Sequence, residues 1–204
     1  MNHGLFVVFE GCEGSGKTTI INLLEKKLNN SYQTIITREP GGTKFSEEVR
    51  NLIFNYDINP KTEALLFAAS RSEHMTFIDE QLKENKIVLC DRFVDSSIVY
   101  QGYARNLGME KICLLNDWII TKKPDLIFYL KIDPQIGLNR IKKNQRNENR
   151  FDQEKIDFHN QINDGFNELY KNNNNKNVHI IDASKPIEEI FMKIYNIIME
   201  KINE

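Results

Sequence analysis

The segment that most constrains the fold is the N-terminal run LFVVFEGCEGSGKTTIINLL, residues 5–24. It starts with an apolar run of strand length, passes through a glycine-rich turn and continues with apolar residues at helical spacing. The turn, GCEGSGKT at residues 11–18, fits the pattern G-x-x-x-x-G-K-[ST]. A strand, such a loop and a helix together form a cradle for nucleotide phosphates. The sequence therefore predicts a phosphate-binding loop at the start of an α/β fold.

Each part of this loop has an expected task. Its glycines permit backbone conformations that turn successive N–H groups toward phosphate oxygens. Lys17 is expected to reach the β- and γ-phosphates, and Thr18 to offer its hydroxyl to Mg²⁺. The loop thus predicts a nucleoside triphosphate and Mg²⁺, but not the reaction. The residues expected along the triphosphate are Gly11, Cys12, Glu13, Gly14, Ser15, Gly16, Lys17, Thr18 and Thr19.

Further apolar runs of strand length follow the loop, and long helical patterns separate most of them. These runs occupy residues 33–38, 86–91, 124–132 and 177–182. Alternating strands and helices indicate a parallel sheet with helices on both faces. Because ligands bind beyond the carboxyl ends of such strands, the pairs Arg38-Glu39 and Asp91-Arg92 should meet the phosphate loop in one crevice. Residues 186–202 predict a terminal helix that packs on the sheet.

Charge and length exclude several classes of protein. The net charge is −2, and no basic stripe indicates a nucleic-acid or anionic membrane partner. The apolar runs are too short to span a membrane, and the N-terminus has no secretory signal pattern, so we expect a cytoplasmic protein. Three scattered cysteines are expected to be reduced thiols. The 204 residues fit one domain, with residues 142–151, KKNQRNENRF, as an exposed mobile segment.

Several arginines suit a second phosphate group. Arg38 and Arg92 follow predicted strands on the side of the phosphate loop, and Arg50 and Arg71 lie on predicted helices. Guanidinium groups bind phosphate through two parallel hydrogen bonds. Two phosphate sites in one crevice indicate transfer between nucleotides. A GTPase switch is disfavoured, because residues 175–178, NKNV, lack the Asp of a guanine-binding N-K-x-D motif.

Five longer motifs carry a family resemblance. They are TREPGGT at 37–43, LLFAASRSEH at 65–74, CDRFVDSSIVYQGYAR at 90–105, PDLIFYL at 124–130 and NRFDQE at 149–154. In this order and spacing they resemble thymidylate kinases of the bacterial type. The resemblance implies a three-layer P-loop NTPase fold, with a five-stranded parallel sheet flanked by helices and a short mobile lid. It also implies a homodimer that uses ATP to convert dTMP to dTDP, toward dTTP for DNA synthesis.

The resemblance also assigns the dTMP site. Phe67 is expected to stack on thymine, Arg71 to donate to the base O4, and Tyr100 to crowd the sugar C2′. Arg38, Arg50 and Arg92 match contacts to the acceptor phosphate, and Arg92 is expected to bridge to the transferred group. The remaining expected contacts are Glu13, Pro40, Ser96, Ser97 and Gln101.

The same resemblance also implies which residues bind the metal and which arginines the lid contributes. Glu13 is expected to address the acceptor 3′-OH and help organise the metal site, and Asp91 to bind Mg²⁺ directly or through water. Glu10 is an alternative residue with a supporting role. Because the phosphate loop contains no arginine, the family pattern brings one from the lid. Arg150 and Arg146 are the candidates, and Arg140 on the preceding helix is expected to contact ATP.

Two other functions stay open from the residues alone. One is another P-loop kinase, acting on dUMP, dCMP or an unphosphorylated deoxynucleoside. Arg38 and Arg50 favour an acceptor that already carries phosphate. The other is an ATP-binding regulatory module without phosphoryl transfer, which has no use for a second set of phosphate-binding arginines.

Overall fold

The computed structural model describes residues 4–143, 150–171 and 175–204. Within these ranges, five strands coincide with the five predicted apolar runs, so that prediction is confirmed. The strands are β1 (Leu5–Glu10), β2 (Thr34–Arg38), β3 (Ile87–Asp91), β4 (Leu126–Lys131) and β5 (Val178–Asp182).

The strands form one all-parallel sheet in the order β2-β3-β1-β4-β5. From the central β1 the chain moves to one side for β2 and β3, and then to the other side for β4 and β5. The loops on the two sides diverge at this point and open a crevice beyond the carboxyl end of β1. All six residues of β1 are buried, as expected for a strand covered on both faces.

Helices cover both faces of the sheet. Alternate residues of β1 serve different faces: Val7 packs with α1 and α8, and Val8 packs with Met75 of α3. This arrangement confirms the predicted three-layer P-loop NTPase fold. The helices are α1 (Lys17–Leu28), α2 (Lys44–Asn55), α3 (Pro60–Lys83), α4 (Val94–Ser97), α5 (Met109–Asp117), α6 (Pro134–Lys143), α7 (Ile156–Leu169) and α8 (Ile187–Asn203). A π-helical segment, Ile98–Ala104, continues α4.

In the segment predicted to be exposed and mobile, Lys142 and Lys143 are exposed as predicted, whereas Phe151 is buried. Helix α6 continues to Lys143, two residues into the predicted segment. Phe151 is only 5% exposed and packs against the rings of Phe54, Tyr100 and Phe158. A single aromatic residue in a polar stretch produces no periodic apolar pattern, so the sequence does not predict its burial. Burying its ring is nevertheless favourable. Residues 144–149, including Arg146, lie outside the described residues.

None of the helices in the described ranges has the length and apolar character needed to cross a membrane.

Candidate active site

The phosphate loop lies directly against the backbone of helix α6. Gly14 has a φ of 70°, and a Cβ on it would lie 2.1 Å from the carbonyl oxygen of Gly137. A Cβ on Gly137 would lie 2.3 Å from the carbonyl oxygen of Glu13. Only glycine fits at either position, so this contact fixes the loop on the helix.

Lys17 is held at the centre of the loop. Its ammonium group donates to the carbonyl oxygens of Gly11 and Cys12, at 2.9 and 3.0 Å, and to the hydroxyl of Ser15 at 3.3 Å. Burial, and then the positive charge of Arg92, lower the pKa of Lys17 to about 8. The side chain is thus a buried cation that the loop itself orients.

Thr18 and Asp91 bring two oxygen donors together. The hydroxyl of Thr18, in the first turn of α1, donates to the carboxylate of Asp91 at the end of β3, at 2.8 Å. Mg²⁺ prefers such hard oxygen ligands and is usually held by one or two protein groups together with phosphates and waters. The donor set therefore fits the predicted metal.

Glu13, Arg92 and Tyr100 form one network at the mouth of the loop. Arg92 donates to the Glu13 carboxylate at 3.0 Å and to the Gly11 carbonyl at 2.8 Å. The Tyr100 hydroxyl donates to the same Glu13 oxygen at 2.6 Å. Burial alone would raise the pKa of Glu13, but Arg92 and the nearby His159 ring hold it well below its usual range. His159 lies 3.6 Å from the second carboxylate oxygen. Sequence reasoning missed it, because its contact with Glu13 is purely tertiary.

Glu10 has the supporting role that the sequence left open. It is fully buried at the end of β1, and it accepts from the backbone N–H groups of Phe93 and Ser96, at 2.8 and 3.2 Å. The Ser96 hydroxyl also contacts it, at 2.5 Å. Burial and the nearby charge of Asp95 raise the pKa of Glu10 to about 7. The carboxyl group therefore ties β1 to the chain that leaves β3.

Arg38 and Arg50 occupy the far wall of the crevice. Arg38 is exposed and pairs with Glu47 at 3.0 Å. Arg50 donates to the carbonyl oxygen of Pro40 at 2.8 Å and lies 4.5 Å from the centre of the Phe54 ring. Burial, and then the charge of Arg38, lower the pKa of Arg50 to about 10. Two cations that repel each other favour an anionic ligand between them.

Arg71 is buried and is only 1% exposed. It donates to Glu39 at 2.7 Å, to Asn116 at 2.5 Å and to the Ser97 hydroxyl at 2.9 Å. Sequence reasoning found Arg71 and Ser97 but assigned no role to Glu39 or Asn116. The motif TREPGGT contains Glu39, but nothing local indicates a partner 32 positions away.

A crevice of about 940 Å³ brings most of the predicted residues together. Those that line it are Glu13, Gly14, Ser15, Gly16, Lys17, Thr18, Thr19, Arg38, Pro40, Arg50, Phe67, Arg71, Asp91, Arg92, Ser96, Ser97, Tyr100, Gln101 and Arg140.

A few predicted residues lie away from this crevice. Gly11 and Cys12 belong to the phosphate loop but do not line the crevice. The Cys12 side chain packs in an apolar cluster instead. Arg150 donates to the carbonyl oxygen of Tyr56 at 3.0 Å and pairs with Glu63, outside the crevice. Arg146 lies outside the described residues.

Comparisons with known proteins agree over nearly the whole chain. The family model described as Thymidylate kinase matches residues 9–194. The thymidylate kinase of Aster yellows witches'-broom phytoplasma (strain AYWB) is 44% identical over 205 residues, covering 98% of this chain and 97% of that protein. The thymidylate kinase of Clostridium novyi (strain NT) is 44% identical over 201 residues, covering 95% of this chain and 98% of its own length.

A solved structure shares the fold. The crystal structure of thymidylate kinase from Ehrlichia chaffeensis superposes with a TM-score of 0.79 and 34% identity, covering 96% of this chain and 98% of that one. Family, relatives and structure agree over almost the full length of the sequence, and we conclude that this chain belongs to the thymidylate kinase family.

Proposed function

We propose that the crevice beyond β1 and β3 is where this chain transfers the γ-phosphoryl group of ATP to the phosphate of dTMP. As a thymidylate kinase, the chain is an ATP-dependent kinase that forms dTDP on the route to dTTP. One observation supports this placement above all. The phosphate loop and a second group of arginines, Arg38, Arg50 and Arg92, line the same crevice.

On the donor side, the loop N–H groups and Lys17 bind the triphosphate, and Arg140 lines the same region. Thr18 and Asp91 would hold Mg²⁺, and Glu13 helps to organise the site. When bound, the ion would supply positive charge that offsets the negative charge of the phosphate groups.

On the acceptor side, Phe67 stacks on the base, and Arg71, Ser97 and Gln101 contact its polar edge. Arg38, Arg50 and Arg92 bind the dTMP phosphate, with Pro40 and Ser96 in the same wall. Tyr100 closes the side of the sugar C2′ and excludes a ribose hydroxyl, while Glu13 accepts from the 3′-OH.

The reaction needs positioning and charge neutralisation more than an acid or a base. A dTMP phosphate oxygen attacks the γ-phosphorus in line, and the bond to the β-phosphate oxygen breaks. Arg92 supports this step, because it contacts Gly11 and Glu13 of the phosphate loop. We assign a further positive charge near the transferred phosphoryl group to Arg150 or Arg146, in the lid of residues 142–151. Arg150 pairs with Glu63 outside the crevice, so its participation requires the lid to close.

We also propose that the whole chain is one catalytic domain that forms a homodimer. Exposed apolar side chains on α2, directly after it and on α3 supply a surface for it: Phe45, Leu52, Tyr56 and Leu65 are 46–61% exposed. Sedimentation of wild type and a Leu65→Glu variant tests the dimer, which the charge should dissociate. A monomeric wild type would contradict it. A cytoplasmic location and the absence of a nucleic-acid partner stay predictions.

A coupled assay of ADP release tests the proposed site. The assay presents dTMP, dUMP, dCMP, dAMP, dGMP and thymidine in parallel, with ATP and Mg²⁺. Strong preference for dTMP is expected, and loss of Lys17 in the Lys17→Ala variant should lower kcat by about 100-fold or more. Lys26→Ala, at an exposed position of the same helix, is the matched control. Near-normal turnover by Lys17→Ala would contradict the assignment of the phosphate loop.

A further inference from the structure

We propose that Glu63 is a positioning residue that sets base specificity by fixing the orientation of the Gln101 side-chain amide. The inference rests on the proposed function, since it requires the base of dTMP to lie against Gln101. Gln101 belongs to the π-helical segment, lines the crevice and is 1% exposed.

The amide of Gln101 can point in only one direction beside Glu63. Its NH₂ group donates to the Oε1 atom of Glu63 at 2.9 Å. A carboxylate only accepts hydrogen bonds, so the NH₂ group and not the amide oxygen must face it. The Oε1 atom of Gln101 is buried and has no hydrogen-bond partner among the described residues. Buried polar atoms are rarely unpaired, which marks this oxygen as an acceptor reserved for a ligand.

Glu63 is itself held in place. It is 1% exposed on α3, with the Nε atom of Arg105 3.7 Å from one carboxylate oxygen. Arg150 pairs with the other oxygen. Arg105 and Arg150 stabilise its negative charge, and a carboxylate offers Gln101 only acceptor atoms whichever oxygen faces it.

The resulting pattern distinguishes one class of pyrimidine. Arg71 can only donate, and Gln101, whose NH₂ group is engaged by Glu63, has only its amide oxygen left to accept a hydrogen bond. Thymine and uracil carry an O4 acceptor beside an N3–H donor, which complements this pair. Cytosine carries an amino donor beside an N3 acceptor, so both contacts would be mismatched. A site that leaves buried polar groups unpaired rejects the wrong ligand strongly. Glu63 thus makes the pocket select bases with an N3–H group.

The test is a Glu63→Gln variant, whose side chain can both donate and accept. Gln101 is then free to turn its NH₂ group toward the N3 atom of cytosine. We measure dCMP as a competitive inhibitor, so that the result does not depend on turnover of dCMP. The ratio of the dCMP inhibition constant to the dTMP KM should fall by about tenfold or more. The ratio of dUMP to dTMP should not change, because uracil keeps N3–H.

Three matched variants separate this role from a structural one. Glu63→Asp still offers only acceptors and should keep the dCMP ratio close to the wild-type value. Arg105→Ala removes a partner of Glu63 but leaves a carboxylate that can only accept, so Gln101 should keep its orientation and the ratio should stay close to the wild-type value. Combining Glu63→Gln with Gln101→Ala should abolish the effect of the first substitution, because the amide that it releases is absent.

An unchanged dCMP ratio in folded Glu63→Gln protein would overturn the inference, as would an equal change in the Gln101→Ala background. If Gln101→Ala alone leaves the dTMP KM unchanged, the proposed base site fails instead. Should Glu63→Gln not fold, wild-type protein decides the point. It should bind dTMP much more tightly than the 3-deaza analogue, which has C–H in place of N3–H. Equal affinity for the two nucleotides would refute an acceptor at Gln101.

Discussion

The guanidinium group of Arg71, which we propose contacts the thymine base, also neutralises a buried carboxylate. Glu39 accepts from it at 2.7 Å, and both side chains are at most 3% exposed. Arg92 has a similar double role with Glu13. At the scale of single residues, the charges of this site are therefore held by opposite charges before any ligand arrives. Replacing one member of such a pair affects both binding and folding.

Arg71→Ala should therefore lower stability as well as affinity. Leaving the Glu39 carboxylate buried without its guanidinium partner, with the His74 ring 3.0 Å from its other oxygen, should reduce the free energy of unfolding by about 3–5 kcal/mol. In the folded fraction, the KM for dTMP should rise more than the KM for ATP. Urea unfolding and initial rates measure the two effects. Arg38→Ala breaks an exposed pair and should cost less than about 1 kcal/mol. Equal losses of stability in the two variants would contradict the buried role of Arg71.

Tyr100 should show separable effects of ring and hydroxyl. Tyr100→Ala removes the ring and should reduce the preference for dTMP over its ribose counterpart by about tenfold or more. Tyr100→Phe keeps the ring and this preference, but it loses the 2.6 Å hydrogen bond to Glu13 and should lower kcat/KM. Comparing kcat/KM for the two acceptors measures both effects. Unchanged selectivity in Tyr100→Ala would refute the steric explanation.

At the scale of secondary-structure elements, the phosphate loop depends on helix α6 as much as on β1 and α1. The backbone contact between Gly14 and Gly137 joins segments more than 100 positions apart. Helix α6 also leads into the predicted lid, so the lid begins on the element that supports the loop. The position of this helix therefore affects both the phosphate loop and the start of the predicted lid segment.

Gly137→Ala should disturb the loop from a distance. The added Cβ would lie 2.3 Å from the Glu13 carbonyl oxygen, so helix or loop must shift. Such strain costs about 1–3 kcal/mol, and a displacement near 1 Å should lower kcat by about 100-fold. Thermal unfolding and ADP release measure the two effects. Asn139→Ala, at an exposed position of the same helix, is the control. Wild-type kcat in Gly137→Ala would show that the contact does not position the loop.

At the scale of the whole molecule, buried ionisable groups make stability depend on pH. Burial and Asp95 raise the pKa of Glu10 from 4.5 to about 7. Between these pH values the folded protein keeps a proton that the unfolded chain releases. The stabilising contribution is therefore complete below about pH 4.5 and is lost as the pH rises through about 7.

Replacing Glu10 by Gln, a neutral isostere, should remove this dependence. The unfolding free energy of wild type relative to Glu10→Gln should fall by up to about 3 kcal/mol between pH 4.5 and pH 7.5. Urea unfolding at several pH values measures this difference. The contributions of other titrating groups largely cancel, because both proteins contain them. A difference that stays constant, or that increases with pH, would contradict a raised pKa at Glu10.

The sequence by itself determined the elements and the chemistry that they carry. Strand-length apolar runs located all five strands, because a strand covered on both faces needs apolar residues on both sides. The glycine-rich loop and the strand-end pairs at Arg38 and Asp91 located the crevice, because parallel strands place their carboxyl ends at one edge. The family motifs then indicated the substrate.

Only the tertiary structure decided which charges are paired. The contacts of Glu39 with Arg71, of His159 with Glu13 and of Glu63 with Gln101 join positions far apart in the chain. No local periodicity reports such contacts, because they depend on how complete elements pack. The burial of Phe151 was unpredictable for the same reason. Local patterns thus predicted the phosphate-binding crevice, whereas long-range packing set which donors and acceptors are paired around it.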